Sequence, residues 1–273
     1  MVSLLLLLII SVRPNASIAH CCPPPSRGAH AFKGFRLQEI NFKKSAHEMS
    51  ACVDFVPQNL SNPVSQVLDP QFGMYVWPCA VVLAQYLWMH REELRGKKVL
   101  ELSAGVSLPG VVAARCGAEV ILSDAADRPA CLENCRRSCE ANDLGDMPVV
   151  GVSWGEISPD LVLLPKLDVI LGSDVFYDPE DFEDVLVTVF FLLRKNPKAE
   201  FWTTYQVRSA DWSIEVLLHR WNLSCIEVQL DQFDADTPEL AGSNLPGNHS
   251  IQMMKITLKT EDAGQESVHR ASP

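Results

Sequence analysis

An α/β fold, a Rossmann-like doubly wound sheet of seven strands flanked by helices, is what this 273-residue sequence predicts. Three observations predict it. Short apolar runs alternate with longer segments of helical spacing, the pattern of strand–helix–strand units. One apolar run, Val99 to Leu102, passes through Ser103-Ala104-Gly105 directly into a helical segment, Leu108 to Cys116. The later strands close on residues of mixed chemistry: Asp124 after Glu119 to Ser123, Trp154-Gly155 after Met147 to Val152, and Asp174 to Tyr177 after Asp168 to Ser173. Ligands in such sheets bind off the carboxyl ends of the strands, which is where all of these residues fall.

Composition sets the bounds. One domain with extensions suits the length, and an apolar share of 47% is enough for a sizeable core. The net charge of −11 opposes direct nucleic-acid binding and suits a cationic substrate, although solubility alone also accounts for it. Nine cysteines, an odd number with no CxxC pair, argue for reduced thiols rather than a disulfide framework.

The chain opens on a Leu- and Ile-rich run, Ser3 to Val12, followed by the sequon Asn15-Ala16-Ser17. This looks like the apolar core of a signal peptide and is too short to span a membrane. No Lys or Arg precedes it, and the cysteines lack a secreted pattern, so an extended or alternative start is preferred over export. Cys21-Cys22-Pro23-Pro24-Pro25 cannot continue a helix. From there to Leu60 loop is expected, or at most a strand pair near Phe35 to Phe42 and Ala51 to Phe55. Residues 1–60 therefore read as an N-terminal extension, 61–260 as the domain entered through the linker Asn62 to Pro70, and 261–273 as a polar tail.

Within the domain, Val81, Val82, Leu83, Tyr86, Leu87 and Met89 place a helix over Trp77 to Glu93, with Pro78 in its first turn. The first strand and its turn follow Gly96. Small residues there let a ligand approach the backbone, and the helix N-terminus adds unpaired N–H groups. A turn of this kind also serves packing alone. Asp124, about 20 residues on, stands where a ribose diol is bound in dinucleotide-type folds. Asp127 to Asn142 is a helix with Cys131, Cys135 and Cys139 along one face, ending at Asn142. A metal would need a fourth ligand, which nothing nearby supplies, so three thiols packed on the sheet is the preferred reading. Helices Pro179 to Arg194 and Ala210 to Trp221 and strands Ala199 to Tyr205, Ser224 to Leu230 and Ile251 to Leu258 complete the pattern.

The run Val76-Trp77-Pro78-Cys79-Ala80, the turn Glu101-Leu102-x-x-Gly105, Asp124, Trp154-Gly155 and Ser173-Asp174-Val175-Phe176-Tyr177 together resemble family 16 of the seven-strand S-adenosylmethionine-dependent methyltransferases. That family consists mainly of protein lysine methyltransferases. The resemblance runs from about Gly73 to Leu258. Gly105 to Gly110 and Thr204 to Trp212 are similar to one member, linked to arginine methylation of histones. The resemblance implies a class I methyltransferase sheet, mostly parallel with an antiparallel last strand, and S-adenosylmethionine as cofactor. It also implies a protein substrate with a cationic side chain (a histone or a chaperone-type protein), in cytoplasm and nucleus. No membrane span and no metal are expected.

Methyl transfer from a sulfonium is an in-line displacement, for which a protein holds donor and acceptor close, excludes water and presents an acceptor with a free lone pair. On the resemblance, Asp124 holds the ribose hydroxyls and Trp154 packs on the adenine. Ser103, Ala104 and Gly105 admit the amino-acid part, Trp77 lies over the methionine end, and Ser173 is a further cofactor-binding candidate. Ser103 and Ser107 replace glycines common in the family. Trp154 and Trp77 as plain core aromatics are the competing readings. Asp174 and Tyr177 are the acceptor-side candidates: a carboxylate orients a cation, and a base or water takes its proton. The competing role for Asp174 is a cap on the following helix. Arginine needs acidic groups that localise the guanidinium charge. The two-glutamate hairpin of the well-known arginine methyltransferases is not found, which leaves Asp174, Asp178 and Glu180 for that task. Other readings on the same fold are a lysine methyltransferase, a small-molecule methyltransferase, a nicotinamide-dependent oxidoreductase, opposed by its missing glycines, and a non-catalytic scaffold.

Overall fold

The computed structural model describes residues 76–209, 214–233, 235–236 and 250–259. The N-terminal extension, the linker to Pro70, the start of the Ala210 helix and the polar tail lie outside the described residues.

Seven strands form one sheet in the order β3-β2-β1-β4-β5-β7-β6. They are β1 (Lys98–Leu102), β2 (Glu119–Asp124), β3 (Val149–Gly151), β4 (Val169–Ser173), β5 (Glu200–Gln206), β6 (Leu223–Val228) and β7 (Ile251–Leu258). β1 pairs in parallel with β2 and β4, β2 with β3, and β4 with β5. β7 runs antiparallel to both β5 and β6. The doubly wound sheet with an antiparallel last strand is thus present. Strand order reverses between β1 and β4, so the crevice where ligands sit opens off their carboxyl ends.

Two helical layers cover the sheet because its strands are apolar on both faces, as parallel strands must be when both faces are buried. Val99, Leu122, Val169 and Trp202 pack under α1 (Pro78–Met89) and α3 (Leu108–Arg115), with Cys135 and Cys139 of α4 (Pro129–Ala141) at the margin. Leu100, Leu102, Ile170 and Phe201 pack under α5 (Pro159–Leu163), α6 (Phe182–Lys195) and α7 (Ile214–Arg220). A short α2 (Arg91–Leu94) precedes β1.

Several boundaries differ from the sequence reading. The expected helix over Trp77 to Glu93 ends at Met89, where His90 turns out of helical geometry with its ring stacked 4.0 Å from that of Tyr86. The expected strand from Met147 to Val152 shrinks to Val149–Gly151, because Pro148 has no N–H for the ladder and only accepts, from Leu122 N at 2.9 Å. The helix expected from Pro179 opens as a 3-10 turn over Pro179–Asp181, and the strand expected to reach Leu230 stops at Val228 before another. Asn142 ends α4 by donating its side-chain amide to Ser138 O at 2.8 Å, while the left-handed residue is Asp143.

Cys131, Cys135 and Cys139 are buried and free, as are Cys79 and Cys116, and Cys225 is free and exposed. Burial pushes the Cys135 thiol up to about 12 and the Cys139 thiol up to about 11, so both are inert packing groups at neutral pH. Among the described residues no cluster fit to hold a metal exists, and no helix is long and apolar enough to cross a membrane.

Candidate active site

The turn from β1 into α3 is wound tightly. Ser103, Gly105 and Ser107 take φ of 51°, 52° and 62°, alternating with residues of ordinary handedness. Glycine tolerates this backbone best, which gives a physical reason for the glycines that the two serines replace. Ala104 N donates to Ser123 O at 2.9 Å, tying the turn to β2. Gly105 is held from both sides. Its N–H donates to Asp124 Oδ2 at 2.9 Å, and its carbonyl accepts from Asn134 Nδ2 at 3.1 Å. Asn134, on the buried face of α4, is a contributor that the sequence reading missed.

Asp124 ends β2, 8% exposed, with its other oxygen accepting from Ala125 N at 2.8 Å. Burial raises its pKa, against the two amide bonds and the charge of Arg128. One backbone bond on each oxygen leaves further lone pairs, so the carboxylate both braces the turn and can accept from a diol. A cofactor with a ribose and a charged amino-acid end fits this turn.

Beneath it lies Glu101, fully buried on β1. Its Oε2 accepts from Gly110 N at 2.9 Å, near the start of α3. Gly110 is required there, because a Cβ would stand 2.4 Å from Glu101 Oε2 and 2.4 Å from Leu122 Cδ2. Burial drives the Glu101 carboxyl well above the usual range, and the Gly110 amide opposes this only in part. The folded chain therefore keeps a proton that the unfolded chain releases. The stabilisation from this group is complete below the ordinary carboxyl pKa and is lost as pH rises toward the raised one, by up to about 1.4 kcal/mol per pH unit. Glu101→Gln removes that dependence. Denaturation from pH 5 upward is expected to show a gap widening in favour of the variant; parallel curves would show that Glu101 is charged in the folded chain.

Trp154 and Gly155 lie beyond β3. Gly155 N donates to Asp184 O at 2.9 Å and to Thr188 Oγ1 at 3.0 Å, which clamps the loop on the first turns of α6. Gly155 has φ of 75°, and a Cβ there would meet Asp184 Oδ1 at 2.6 Å. Trp154, half-buried, faces Tyr177 with ring centroids 5.9 Å apart. Burial, then the charge of Asp181, pushes the Tyr177 phenol up, so it stays protonated at neutral pH.

Ser173, half-buried, is the last residue of β4 and pairs with Thr204. Asp174 follows with φ of 54°, its N–H donating to Thr204 O at 2.7 Å. It caps no helix: Asp178 does that, accepting from Glu180 N at 3.0 Å. Both Asp174 oxygens instead meet Arg208. Nη1 donates to Oδ1 at 2.9 Å and Nη2 to Oδ2 at 2.6 Å, a bidentate pair, and Gln206 N donates to Oδ1 at 3.3 Å. The sequence reading left this carboxylate open to an incoming cation and missed Arg208. The available signal was a lone basic residue just past the carboxyl end of β5, the neighbour of β4. Cys79 packs close by, its thiol raised by burial and then by Asp174. Thr204 Oγ1 donates to Cys79 O at 2.8 Å, which fixes the start of α1 against the rim. Trp77 lies at that start, half-buried, its carbonyl accepting from Ala80 N at 2.9 Å.

The structure thus joins Ser103, Ala104, Gly105 and Asp124 at one turn and sets Trp154 beside Tyr177, with the two rings tilted by 52°. It sets Ser173 and Asp174 beside the start of α1, where Trp77 lies. Asp178 and Glu180 bond to each other at the mouth of α6.

Comparison with known proteins extends this picture. A sequence model of the family described as lysine methyltransferase matches residues 63–214. A protein named histone-arginine methyltransferase METTL23 from Xenopus laevis is 64% identical over 207 residues, 76% of this chain and 88% of that one. The human protein of that name is 60% identical over 185 residues, 68% of this chain and 97% of that one. Mouse protein N-lysine methyltransferase METTL21A is 40% identical over 129 residues, covering 44% of this chain and 56% of that one.

Proposed function

The chain belongs to the lysine methyltransferase family and is an S-adenosylmethionine-dependent protein methyltransferase; we propose that its acceptor is an arginine side chain of histone. The observation that carries this reading is the 64% identity, over most of both chains, to a protein named for that activity. The rim is compatible with it, since a carboxylate at the carboxyl end of β4 already grips a guanidinium through two bonds.

Position at the rim supports the following roles. Asp124 accepts the ribose hydroxyls while it braces Gly105. The backbone of Ser103, Ala104 and Gly105 receives the amino-acid end. Trp154 covers the base, and Trp77 and Ser173 line the methionine end. Bound S-adenosylmethionine supplies an activated methyl group, so the chain itself needs no nucleophile. Its task is to orient and desolvate the acceptor. Asp174 draws the guanidinium charge onto the nitrogens it binds, Tyr177 closes the rim beside it, and the proton displaced from the methylated nitrogen passes to water. The net charge of −11 suits a basic protein substrate and opposes direct nucleic-acid binding. Free thiols at all six described cysteines support a reducing compartment, cytoplasm and nucleus.

Lysine on a non-histone protein, including a chaperone, is the second reading, favoured by the family's description and by the METTL21A relative. Transfer of labelled methyl from S-adenosylmethionine to core histones, followed by acid hydrolysis, separates the two. Labelled methylarginine is expected; methyllysine alone would replace the arginine reading, and label only on non-histone lysate proteins would replace histone.

A further inference from the structure

We propose that Arg208 is a specificity-determining residue of the acceptor end: it occupies a guanidinium receptor built on Asp174, and the acceptor arginine takes its place there. This rests on the arginine reading above and deepens it.

The receptor belongs to the framework. Asp174 is fixed in a left-handed backbone conformation by the Thr204 carbonyl, and Gln206 N steadies Oδ1 from the adjoining strand. Its side chain is 5% exposed. The two parallel bonds from Arg208 use both carboxylate oxygens, a geometry that a planar guanidinium satisfies and an ammonium does not. The occupant is held less firmly. Arg208 lies two residues beyond the end of β5, its side chain is 27% exposed, and apart from the fork Nη1 has only a long bond to Gln206 O at 3.3 Å. From solvent the carboxylate is therefore reached through the guanidinium that covers it.

An acceptor cation arriving at this rim meets a positive charge in front of the negative one. If it is a guanidinium, exchange preserves both bonds, so the buried carboxylate never goes unpaired. A lysine ammonium recovers one bond of the fork and leaves an oxygen unmatched in a nearly closed site, which costs more. Arg208 thus raises the threshold for any acceptor in proportion to its use of the receptor, while the fork at Asp174 itself favours a guanidinium over an ammonium. Because the receptor is filled at rest, apparent affinity for an acceptor is reduced by the fraction of time that Arg208 occupies it.

The test uses the full chain, its Arg208→Gln variant and the double variant Arg208→Gln with Asp174→Asn. Ethylguanidine and ethylamine serve as probes in thermal denaturation. Ethylguanidine is expected to raise the Tm of Arg208→Gln well above the effect of ethylamine, and to do so neither in the parent chain nor in the double variant. With an arginine-containing histone peptide, the KM of Arg208→Gln is expected to fall about tenfold, with a smaller fall for the matched lysine peptide. Equal effects of the two probes on Arg208→Gln, or a raised KM for the arginine peptide, would overturn the proposal and make the pair a fixed latch. Should Arg208→Gln fail to fold, Arg208→Lys keeps the charge without the fork and is expected to respond to ethylguanidine in the same sense; no response there overturns the proposal. Absence of any transfer to arginine by the parent chain would remove the arginine reading itself. The probe comparison needs no turnover and decides the receptor separately.

Discussion

Alanine at Gly110 is expected to destabilise the chain by about 3 kcal/mol, the upper end of what overpacking a closed core costs. The added methyl would stand 2.4 Å from both Glu101 Oε2 and Leu122 Cδ2. Both atoms are side-chain ends, but both residues are fully buried between β1, β2 and α3, so any shift of either must displace packed neighbours. Relief comes by lifting α3 from the sheet, which breaks the Gly110–Glu101 bond and loosens the turn at Gly105. Cofactor binding should therefore weaken along with stability, although Gly110 itself lies below the rim. Urea denaturation with and without S-adenosylmethionine checks both. A variant as stable as the parent would show that α3 is free to shift on its strands.

Asp174→Asn is expected to lower turnover on the order of a hundredfold, through lost orientation and charge stabilisation of the acceptor. The substitution keeps the shape and removes the charge. On the sequence alone, an acceptor-side Asp174 would leave stability untouched. The Arg208 pair changes that expectation: losing two charge-assisted bonds should also cost about 1–3 kcal/mol. The fork is partly open to solvent on the Arg208 side, which holds the loss to that range rather than the larger one for a fully enclosed pair. Affinity for S-adenosylmethionine should hardly change. Single-turnover rates with saturating cofactor, beside melting curves, separate the effects. A destabilised variant that transfers methyl at the parental rate would leave Asp174 as a structural anchor only.

The sequence announced the sheet well because its strands are short, apolar on both faces and closed by small or charged residues. The errors came where one residue overrides a pattern. Pro148 withdraws a donor and shortens β3, and at His90 the helix expected to reach Glu93 breaks off. The nearness of Gly105 and Asp124 was readable because one strand–helix–strand unit carries both. The partners that complete the site were not readable in this way. Arg208 is 34 positions from Asp174, and Thr188 is 33 from Gly155. Each contact is created by strand order or helix docking rather than by local spacing. Glu101 is a different case: its position on the first strand was plain, but only the approach of α3 shows that its carboxyl is sealed against an amide.

The account's central claim is that the rim divides into a cofactor half at Asp124 and an acceptor half at Asp174. Calorimetric titration of S-adenosylmethionine into the parent chain, Asp124→Ala and Asp174→Asn tests it most directly. Loss of charge-assisted bonds worth about 1.5–3 kcal/mol predicts at least about tenfold weaker binding in a folded Asp124→Ala, with parental affinity in Asp174→Asn. Parental affinity in a folded Asp124→Ala, or an equal loss in both variants, would contradict the division.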